Sequence, residues 1–498
     1  MAEVGFRGLA GSRRKQPKGP RFLEREIIEE IFDSGPGSWL KVCRFYYWHC
    51  SSVGVKQAKT ISMKRIVASV GMVAVGASGL QAELLPAMTT ESGKPWTVGA
   101  TLRGFYDDNV NTVPDNYVPQ TPGSFHRSTT GFEVSPFLRF SFPMEQTTLS
   151  FGYVYSLKYY ENTPIGNTEH YDQTHQFDAA LTHAFSERYQ LSVKDSLVIG
   201  QEPDMLRAGN TFDSFQRISG DNLRNYGSIT FSAQITPELG TEVGYANTYF
   251  SYADNTPIVG LSGLLDESDN VAHVDLRYLL QPQTTGVVGY QFRELDYIAN
   301  QPIGQYVDVN GNNVTVRSDE RNARMNYLYL GLDHNFRPDL TGSVRVGGQY
   351  AQYYNNPASQ DELSPYAMLN LKYTYLPESY LQAGFVYDYT PSSLFSVNPA
   401  NGDLTLNAQS ATVFASITHR ITPKLYGNLL AQYQNSTYYG GTYDGKADNY
   451  YLIGLSLQYR FTPNFSAEVG YNYDNVKSDM ANRSYDRNRI YVGVTGSY

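Results

Sequence analysis

Apolar and polar side chains alternate with a period of two residues over much of the chain. From Phe465 to Asp474, the odd-numbered positions are apolar or aromatic, and the even-numbered positions are Ser, Glu, Gly, Asn and Asp. The last ten residues follow the same rule, with Ile490, Val492 and Val494 on one side. A β-strand with this period presents one face to an apolar environment and the other to a polar one. The pattern therefore predicts half-buried strands.

These runs predict eighteen antiparallel strands, or sixteen if the two weakest runs are not strands. Their connections alternate between turns of two to four residues and long segments rich in Asn, Asp, Gly and Pro. This alternation is typical of an all-β transmembrane barrel with short periplasmic turns and long external loops. The predicted strands are residues 96–107, 130–142, 146–160, 170–185, 189–201, 223–235, 239–253, 269–280, 284–297, 321–336, 340–354, 363–376, 379–390, 407–421, 424–438, 448–461, 464–475 and 487–498.

The short turns recur as an internal repeat at intervals of roughly 40–55 residues. Most contain a proline, as at Pro143, Pro237, Pro338 and Pro463. Proline cannot donate to a β-ladder, so it marks strand ends here. A soluble β-propeller is the alternative, but its strands would be apolar on both faces. Nearly every run in this chain has one polar face, which favours the membrane barrel.

Two long loops have patterns of their own. The segment from Tyr306 to Val316 predicts a hairpin with a two-residue turn at Asn310-Gly311. Its Asp and Asn spacing also resembles a calcium loop, but the glycine is misplaced and the last ligand is Asp, so the hairpin is favoured. Acidic residues are expected to concentrate in loops, as at 266–269, where they would attract cations to the mouth of a barrel.

The N-terminal region predicts processing segments and not folded structure. Met63 to Ala82 has the basic start and apolar middle of a secretory signal peptide, too short to span a membrane. Residues 1–62 are predicted to be a spurious or disordered extension, because a signal peptide normally begins its protein. Residues 83–95 are a short periplasmic lead-in, and residues 96–498 form the barrel.

Composition agrees with a barrel and removes several other classes. Aromatic residues are 14%, charged residues 17%, and the formal net charge is −9. Mean hydropathy is −0.41, unlike a helical membrane protein. The acidic balance argues against a nucleic-acid partner. Cys43 and Cys50 both precede the signal peptide, so no disulfide framework or thiolate metal site is expected, and no metal or other cofactor is predicted.

A short motif at the end of the first predicted strand gives a family resemblance. Tyr106, Asp107, Asp108 and Asn109 resemble the Tyr-Asp-Asp-Asn motif that the outer-membrane β-barrel porin family of secretion and exopolysaccharide contexts carries in its first hairpin. The resemblance implies a barrel fold and an outer-membrane location, and it implies function only weakly. The final strand, with Val492, Val494 and terminal Tyr498, resembles the signal that the barrel-assembly machinery reads.

Strand parity predicts which charged residues face the barrel interior. Both signs occur there, so no strong ion selectivity is expected. The side chains either form a solvated or paired wall, or they set up a transverse field at a constriction that orders polar solutes. The predicted pore-lining residues are Arg103, Glu133, Arg139, Lys158, Asp275, Arg277, Arg293, Asp333, Arg345, Lys372, Asp388, Arg420, Arg460 and Glu468.

The sequence contains few candidate catalytic residues. His170 and His175 lie near Asp172 and Glu169, where a general base is conceivable, but polar residues at the membrane interface are the favoured interpretation. The common hydrolase, zinc-protease and phosphate-loop motifs do not occur. The protein is therefore predicted not to be an enzyme.

Two functions remain open at this stage. The first is a porin-like channel for passive diffusion of small hydrophilic solutes. The second is a non-conducting or plugged barrel that serves polysaccharide export, binding or envelope structure. The expected partners are outer-membrane lipid, the barrel-assembly machinery and small polar solutes, and wide porins provide an analogy for a homo-oligomer.

Overall fold

The structure is a computed structural model that describes residues 94–116, 126–162, 170–201, 221–253, 261–356, 361–392 and 394–498. The predicted extension and signal peptide, and residues 83–93 of the lead-in, lie outside these ranges. No helix within them is long and apolar enough to cross a membrane.

The chain folds into a closed barrel of eighteen antiparallel strands and one separate two-stranded hairpin. The barrel strands are β1 (Trp96–Asp107), β2 (Thr129–Pro143), β3 (Thr147–Tyr160), β4 (Tyr171–Ser186), β5 (Tyr189–Gly200), β6 (Asn222–Gln234), β7 (Leu239–Tyr252), β8 (Glu267–Gln281), β9 (Thr284–Tyr297), β12 (Ala323–Arg337), β13 (Leu340–Gln352), β14 (Glu362–Leu376), β15 (Ser379–Pro391), β16 (Asn407–Arg420), β17 (Leu425–Tyr439), β18 (Ala447–Thr462), β19 (Phe465–Ser478) and β20 (Tyr485–Ser497). The hairpin consists of β10 (Pro302–Val307) and β11 (Asn313–Arg317), and a short helix α1 (Leu261–Leu265) precedes β8.

The predicted all-β barrel is confirmed, with eighteen strands and not sixteen. Every predicted strand end lies within three residues of the observed one. Each strand pairs with its neighbours along the chain, β9 pairs with β12, and β1 pairs with β20 from Gly99–Ser497 to Asp107–Arg489. Short turns connect the strands at one end, which we call the short-turn end, and long loops connect them at the other, the long-loop end.

The two faces of the sheet differ as the period-two pattern predicts. On β12, Leu328 and Leu330 are more than 60% exposed on the outer face, whereas Tyr327 and Tyr329 are buried on the inner face. Asp195 is an exception, because it lies in the middle of β5 on the same side as Val193 and Leu197. Its carboxylate accepts a hydrogen bond from the Asn225 amide at 3.1 Å.

The turn of the β10–β11 hairpin is longer than predicted. It spans Asp308 to Asn312, and Gly311 adopts a left-handed φ of 83°. The Asp308 carboxylate accepts the backbone N–H groups of Asn310 and Asn312, which stabilises a five-residue turn in place of a tight Asn-Gly pair. Hydrogen bonds from Asn312 and then Asn310 lower the pKa of Asp308. The Asp308 carboxylate therefore stabilises the turn in which it lies.

The closing seam between β1 and β20 is held by the Tyr106–Asn109 motif. Asp107 accepts two hydrogen bonds from the Arg487 guanidinium, at 3.0 and 2.5 Å, and both side chains are buried. Asp108 accepts the backbone N–H and the amide of Asn488, at 2.6 and 2.7 Å. The Asn109 amide donates to the carbonyl oxygens of Val113 and Asp486. Three consecutive motif residues thus fasten the first strand to the last at the long-loop end.

We expect Arg487→Met to destabilise the barrel by about 3–5 kcal/mol, because it leaves the buried Asp107 carboxylate without its cationic partner. The loss is measured as a lower midpoint for unfolding in urea, followed by tryptophan fluorescence. Arg324→Met is the matched control, since it removes an exposed pair with Glu294 at the barrel surface. Equal midpoints for the two variants would contradict the proposed role of the seam.

Candidate functional site

The pairing register brings the fourteen predicted pore-lining residues onto the inner face of the barrel. In an antiparallel sheet, directly paired residues project to the same side. Arg103 pairs with Glu133, and Glu133 pairs with Lys158. The same rule, followed from strand to strand, places the remaining eleven residues opposite the exposed apolar side chains. The structure also places Val492, Val494 and Tyr498 on the outer face.

Three of these residues form a partly exposed cluster next to the seam. The Arg103 guanidinium donates to Glu468 at 2.6 Å and to Glu133 at 3.1 Å, so it links β19, β1 and β2. Ser135 and Ser156 also donate to Glu133. The Arg103 side chain remains 31% exposed. This stretch of the inner wall is polar, paired and reachable by solvent.

A second charged cluster is buried on the inner sides of β7, β8, β12 and β13. Asp333 accepts hydrogen bonds from Arg277 at 2.6 Å and from Arg345 at 2.8 Å. Glu242 lies 3.8 Å from Arg277. Asp275 accepts a hydrogen bond from the Tyr329 hydroxyl at 2.7 Å, and the Tyr329 ring lies over Gly289, where no side chain obstructs it. We call Glu242, Arg277, Asp333 and Arg345 the buried charge cluster, and Asp275 lies within electrostatic range of its Arg345 and Glu242.

The other predicted residues divide by the kind of partner they have. Arg293 donates to Asp269 at 2.9 Å, and Asp388 lies within electrostatic range of Arg293. Arg420 pairs with Glu378 at 2.8 Å. Lys158 lies within electrostatic range of Glu133. The remaining three cations lie over aromatic rings, with Arg139 over Phe137, Lys372 over Tyr380 and Arg460 over Tyr426.

The acidic residues expected in a loop at 266–269 are placed differently. Glu267 and Asp269 belong to β8, and Asp269 is an inner-face partner of Arg293. Asp266 is buried and accepts the backbone N–H of Tyr252 at 2.6 Å. Pairing with β7 and β9 extends β8 by two residues beyond the predicted start, so these carboxylates are structural.

Two loops fold inward and pack on one side of the interior. Ile303 and Val316 from the β10–β11 hairpin join Leu404 and Leu406 from the loop between β15 and β16. They pack against inward-facing side chains of β12 and β14, which lie up to six residues below the long-loop ends of those strands. We call this group the infolded cluster, and it also includes Met325, Tyr327, Tyr329, Tyr366, Met368 and Phe395.

Hydrogen bonds hold the loop between β15 and β16 in this position. Pairing of β14 with β15 stops at Ala367–Tyr387, so the upper part of β15 is free to bend inward. The Gln349 side chain, which projects from the inner face of β13, then donates to the Tyr389 carbonyl and accepts its N–H. Asn407 donates to the Tyr353 hydroxyl at 2.6 Å. The top of the β15–β16 hairpin therefore crosses the inner faces of β13 and β14.

Arg321 connects three loop segments at the edge of the infolded cluster. It is 1% exposed and lies in the helical turn Ser318–Arg321 that follows β11. Its guanidinium donates to the carbonyl oxygens of Leu264 and Ser392 and to the Tyr297 hydroxyl, and it stacks on the Tyr297 ring. One side chain thus ties α1, the hairpin and the β15–β16 loop together.

Sequence reasoning missed the infolded loops and Arg321. A signal was present, because Ile303, Val316, Leu404 and Leu406 are apolar residues within otherwise polar loops. Such residues require burial, but the sequence does not show which wall they pack against.

The histidines considered for catalysis do not converge with their neighbouring acid. Asp172 projects inward from β4, whereas His175 projects outward and accepts or donates a hydrogen bond with the Tyr153 hydroxyl. His170 contacts the Tyr160 carbonyl at 2.9 Å. Glu169 lies outside the described residues. Within the described residues, His, Cys, Asp and Glu form no group suited to hold a metal ion.

This architecture defines a class of protein. A closed, even-numbered antiparallel barrel with an apolar outer face, short turns at one end and long loops at the other is the architecture of bacterial outer-membrane β-barrels. The sequence family described as "Putative beta-barrel porin 2" matches residues 408–498, which form the last five strands. This match confirms the resemblance to a barrel porin family, over a segment that does not include the Tyr106–Asn109 motif.

Solved structures give further likenesses, whereas curated proteins give no match. A BenF-like porin from Pseudomonas fluorescens Pf-5 is 13% identical, with a TM-score of 0.43 over 81% of this chain and 99% of that chain. The outer membrane protein OpdK from Pseudomonas aeruginosa is 12% identical, with a TM-score of 0.39 over 81% and 99%. A mutant of the ferric enterobactin receptor PfeA from the same species is 11% identical, with a TM-score of 0.41 over 82% and 81%.

We expect Arg321→Gln to release the infolded loops, because several buried oxygens lose their donor at a cost of about 1–3 kcal/mol each. Limited chymotrypsin digestion of the folded barrel measures the effect, and cleavage after Phe395 should accelerate by at least about tenfold. Arg317→Gln is the control, since the Arg317 side chain is exposed and, among the described residues, donates only to Asn300 in its own loop. Unchanged cleavage in Arg321→Gln would show that Arg321 does not hold the loops.

Proposed function

We propose that the protein is an outer-membrane, porin-like channel for passive diffusion of small hydrophilic solutes. The observation that carries the proposal is an asymmetry of the barrel interior. The infolded cluster occupies the inner faces of β12 to β15, whereas polar side chains on β1, β2 and β19 stay partly exposed. An interior narrowed from one side, with an accessible polar wall opposite, is suited to selective passage of small polar molecules.

The chemistry of the inner wall supports diffusion over catalysis. Arg103 with its two carboxylate partners, together with nearby Ser135 and Ser156, offers hydrogen bonds to a passing solute. None of these contacts is arranged as a nucleophile with an adjacent base. We therefore propose a non-enzymatic role in which the wall replaces part of the hydration of the solute.

The proposal includes the route to the membrane. Residues 63–82 would direct export, and the barrel would present Val492, Val494 and Tyr498 to the assembly machinery before insertion into outer-membrane lipid. In that orientation the short-turn end is periplasmic and the long-loop end is external. A homo-oligomer is compatible with the apolar outer face.

A plugged barrel for polysaccharide export, binding or envelope structure is the second candidate. Inward folding of the loops favours this second candidate. In addition to the infolded cluster, Met480 from the loop between β19 and β20 packs against Tyr438 on the inner face. Arg483 of that loop donates to the buried Asp448 at 2.7 Å. A third loop therefore packs on the inner faces of β17 and β18, next to the part of the wall that the first two loops cover.

Single-channel recording separates the two candidates. The purified full-length protein is inserted into planar lipid bilayers, and stable conductance steps are expected if the lumen is open. Replacing the packed hairpin, residues 302–317, by a short Gly-Ser linker should raise the conductance by roughly twofold or more, because it widens the narrow part. Repeated silence of the wild-type protein would refute the channel and favour the plugged barrel.

The matched control shortens only the exposed turn Asp308–Asn312 to Asn-Gly. This change leaves Ile303 and Val316 packed in the infolded cluster, so the conductance should stay at the wild-type value. If both changes had the same effect on conductance, the hairpin would not form the constriction.

A further inference from the structure

We infer that the channel prefers anions, because four accessible basic side chains near its short-turn end form no ion pair with a carboxylate of the described residues. This inference rests on the proposed function and specifies the class of solute. The four residues are Arg139 on β2, Lys194 on β5, Lys372 on β14 and Arg460 on β18, and we call them the basic ring. Each lies two to five residues from the short-turn end of its strand and projects inward.

Three members of the basic ring lie over aromatic rings instead of beside carboxylates. The Arg460 guanidinium lies 4.1 Å from the centre of the Tyr426 ring, and that of Arg139 lies 4.7 Å from the centre of the Phe137 ring. The Lys372 ammonium lies 5.6 Å from the centre of the Tyr380 ring. Stacking on a ring orients a cation but leaves its full charge in place.

Inward-facing strand carboxylates at the same level are already engaged. Glu242, Asp275 and Asp333 are buried around Arg277 and Arg345. Glu468 is bound by Arg103, and Glu378 in the nearby turn is bound by Arg420. Arg139 interacts electrostatically with the Asp178 carboxylate, which accepts hydrogen bonds from Ser196 and Gln176.

The basic side chains of the ring and the inward-facing carboxylates differ in how far they are buried. Lys194 and Lys372 are exposed to the interior, and Arg139 and Arg460 are partly exposed. In contrast, the inward-facing carboxylates on the described barrel strands are at most partly exposed, and most are buried in pairs. Near the short-turn end, the most exposed of the inward-facing strand charges are therefore positive, although the inner wall as a whole carries both signs.

This field selects by charge and not by shape. The ring members lie on β2, β5, β14 and β18, so they are spread around the wall and cannot converge on one bound molecule. Low-dielectric walls concentrate their field in the aqueous interior, which raises the local concentration of anions and lowers that of cations. Small inorganic anions and small organic carboxylates are the solutes that share the required chemistry.

Reversal potentials in planar bilayers test the inference. The full-length protein is placed in a tenfold gradient of potassium chloride at low ionic strength, where screening is weakest. The sign of the reversal potential should show that chloride permeates better than potassium. A second recording in potassium acetate should keep the same sign, if carboxylates are carried as well as inorganic anions.

The quadruple variant Arg139→Gln, Lys194→Gln, Lys372→Gln and Arg460→Gln should reduce the chloride-to-potassium permeability ratio by about threefold to tenfold. Lys194→Gln with Lys372→Gln changes only exposed side chains and should give a smaller shift in the same direction. Heat-dependent mobility in electrophoresis checks that each variant is folded. The control is Lys477→Gln on the outer face of β19, which should leave the ratio unchanged.

The possible results separate the anion preference from the channel itself. Conductance with a preference for potassium, or a ratio that the ring substitutions do not change, overturns the anion preference and leaves the channel intact. Silence of the wild-type protein overturns the channel and the inference together. Passage of chloride with rejection of acetate restricts the solutes to inorganic anions and overturns the carboxylate part.

Discussion

The need to pair every backbone N–H and C=O group within the chain is the constraint on which this structure depends. Hydrocarbon offers no hydrogen-bond partners, so a sheet that crosses it must have no free edge. Pairing of β1 with β20 removes both edges at once. The Tyr106–Asn109 motif belongs to this closure, since its carboxylates and amide fasten the two strands where the ladder ends. We read the motif as a structural feature of the seam, outside the accessible inner wall.

Closure also decides where charged residues are placed. The outer face meets lipid and the inner face meets water, so nearly all strand charges away from the long-loop end project inward. Once inside, they follow two different rules. Acids and arginines on β7, β8, β12 and β13 pair and become buried, whereas the basic ring stays accessible, with three of its four members over aromatic rings. The paired charges stabilise the wall. In our proposal, the basic ring, which forms no ion pair among the described residues, makes the accessible part of the wall positive.

The sequence predicted the barrel well because each strand carries its own period-two signal. Strand number, strand ends and the side to which Arg103 or Arg345 projects all follow from local alternation and turn residues. Loop placement does not follow, because it depends on contacts between distant segments. Ile303 and Leu404 are about 100 positions apart, yet they meet on the inner faces of β12 and β14. The ring at Lys194 and Lys372 was also hidden, since composition counts charges without showing which of them are buried.

The seam between the first and last strands has a consequence for biosynthesis. Asp107 and Arg487 are 380 residues apart in the chain, so their contact cannot form until translation and export of the chain are almost complete. Before then, a partly assembled sheet has two unpaired edge strands, which can pair with strands of other chains. Release of the finished molecule from its folding helpers must therefore wait for the C-terminal strand, and a chain that is cut short would remain bound to them or aggregate.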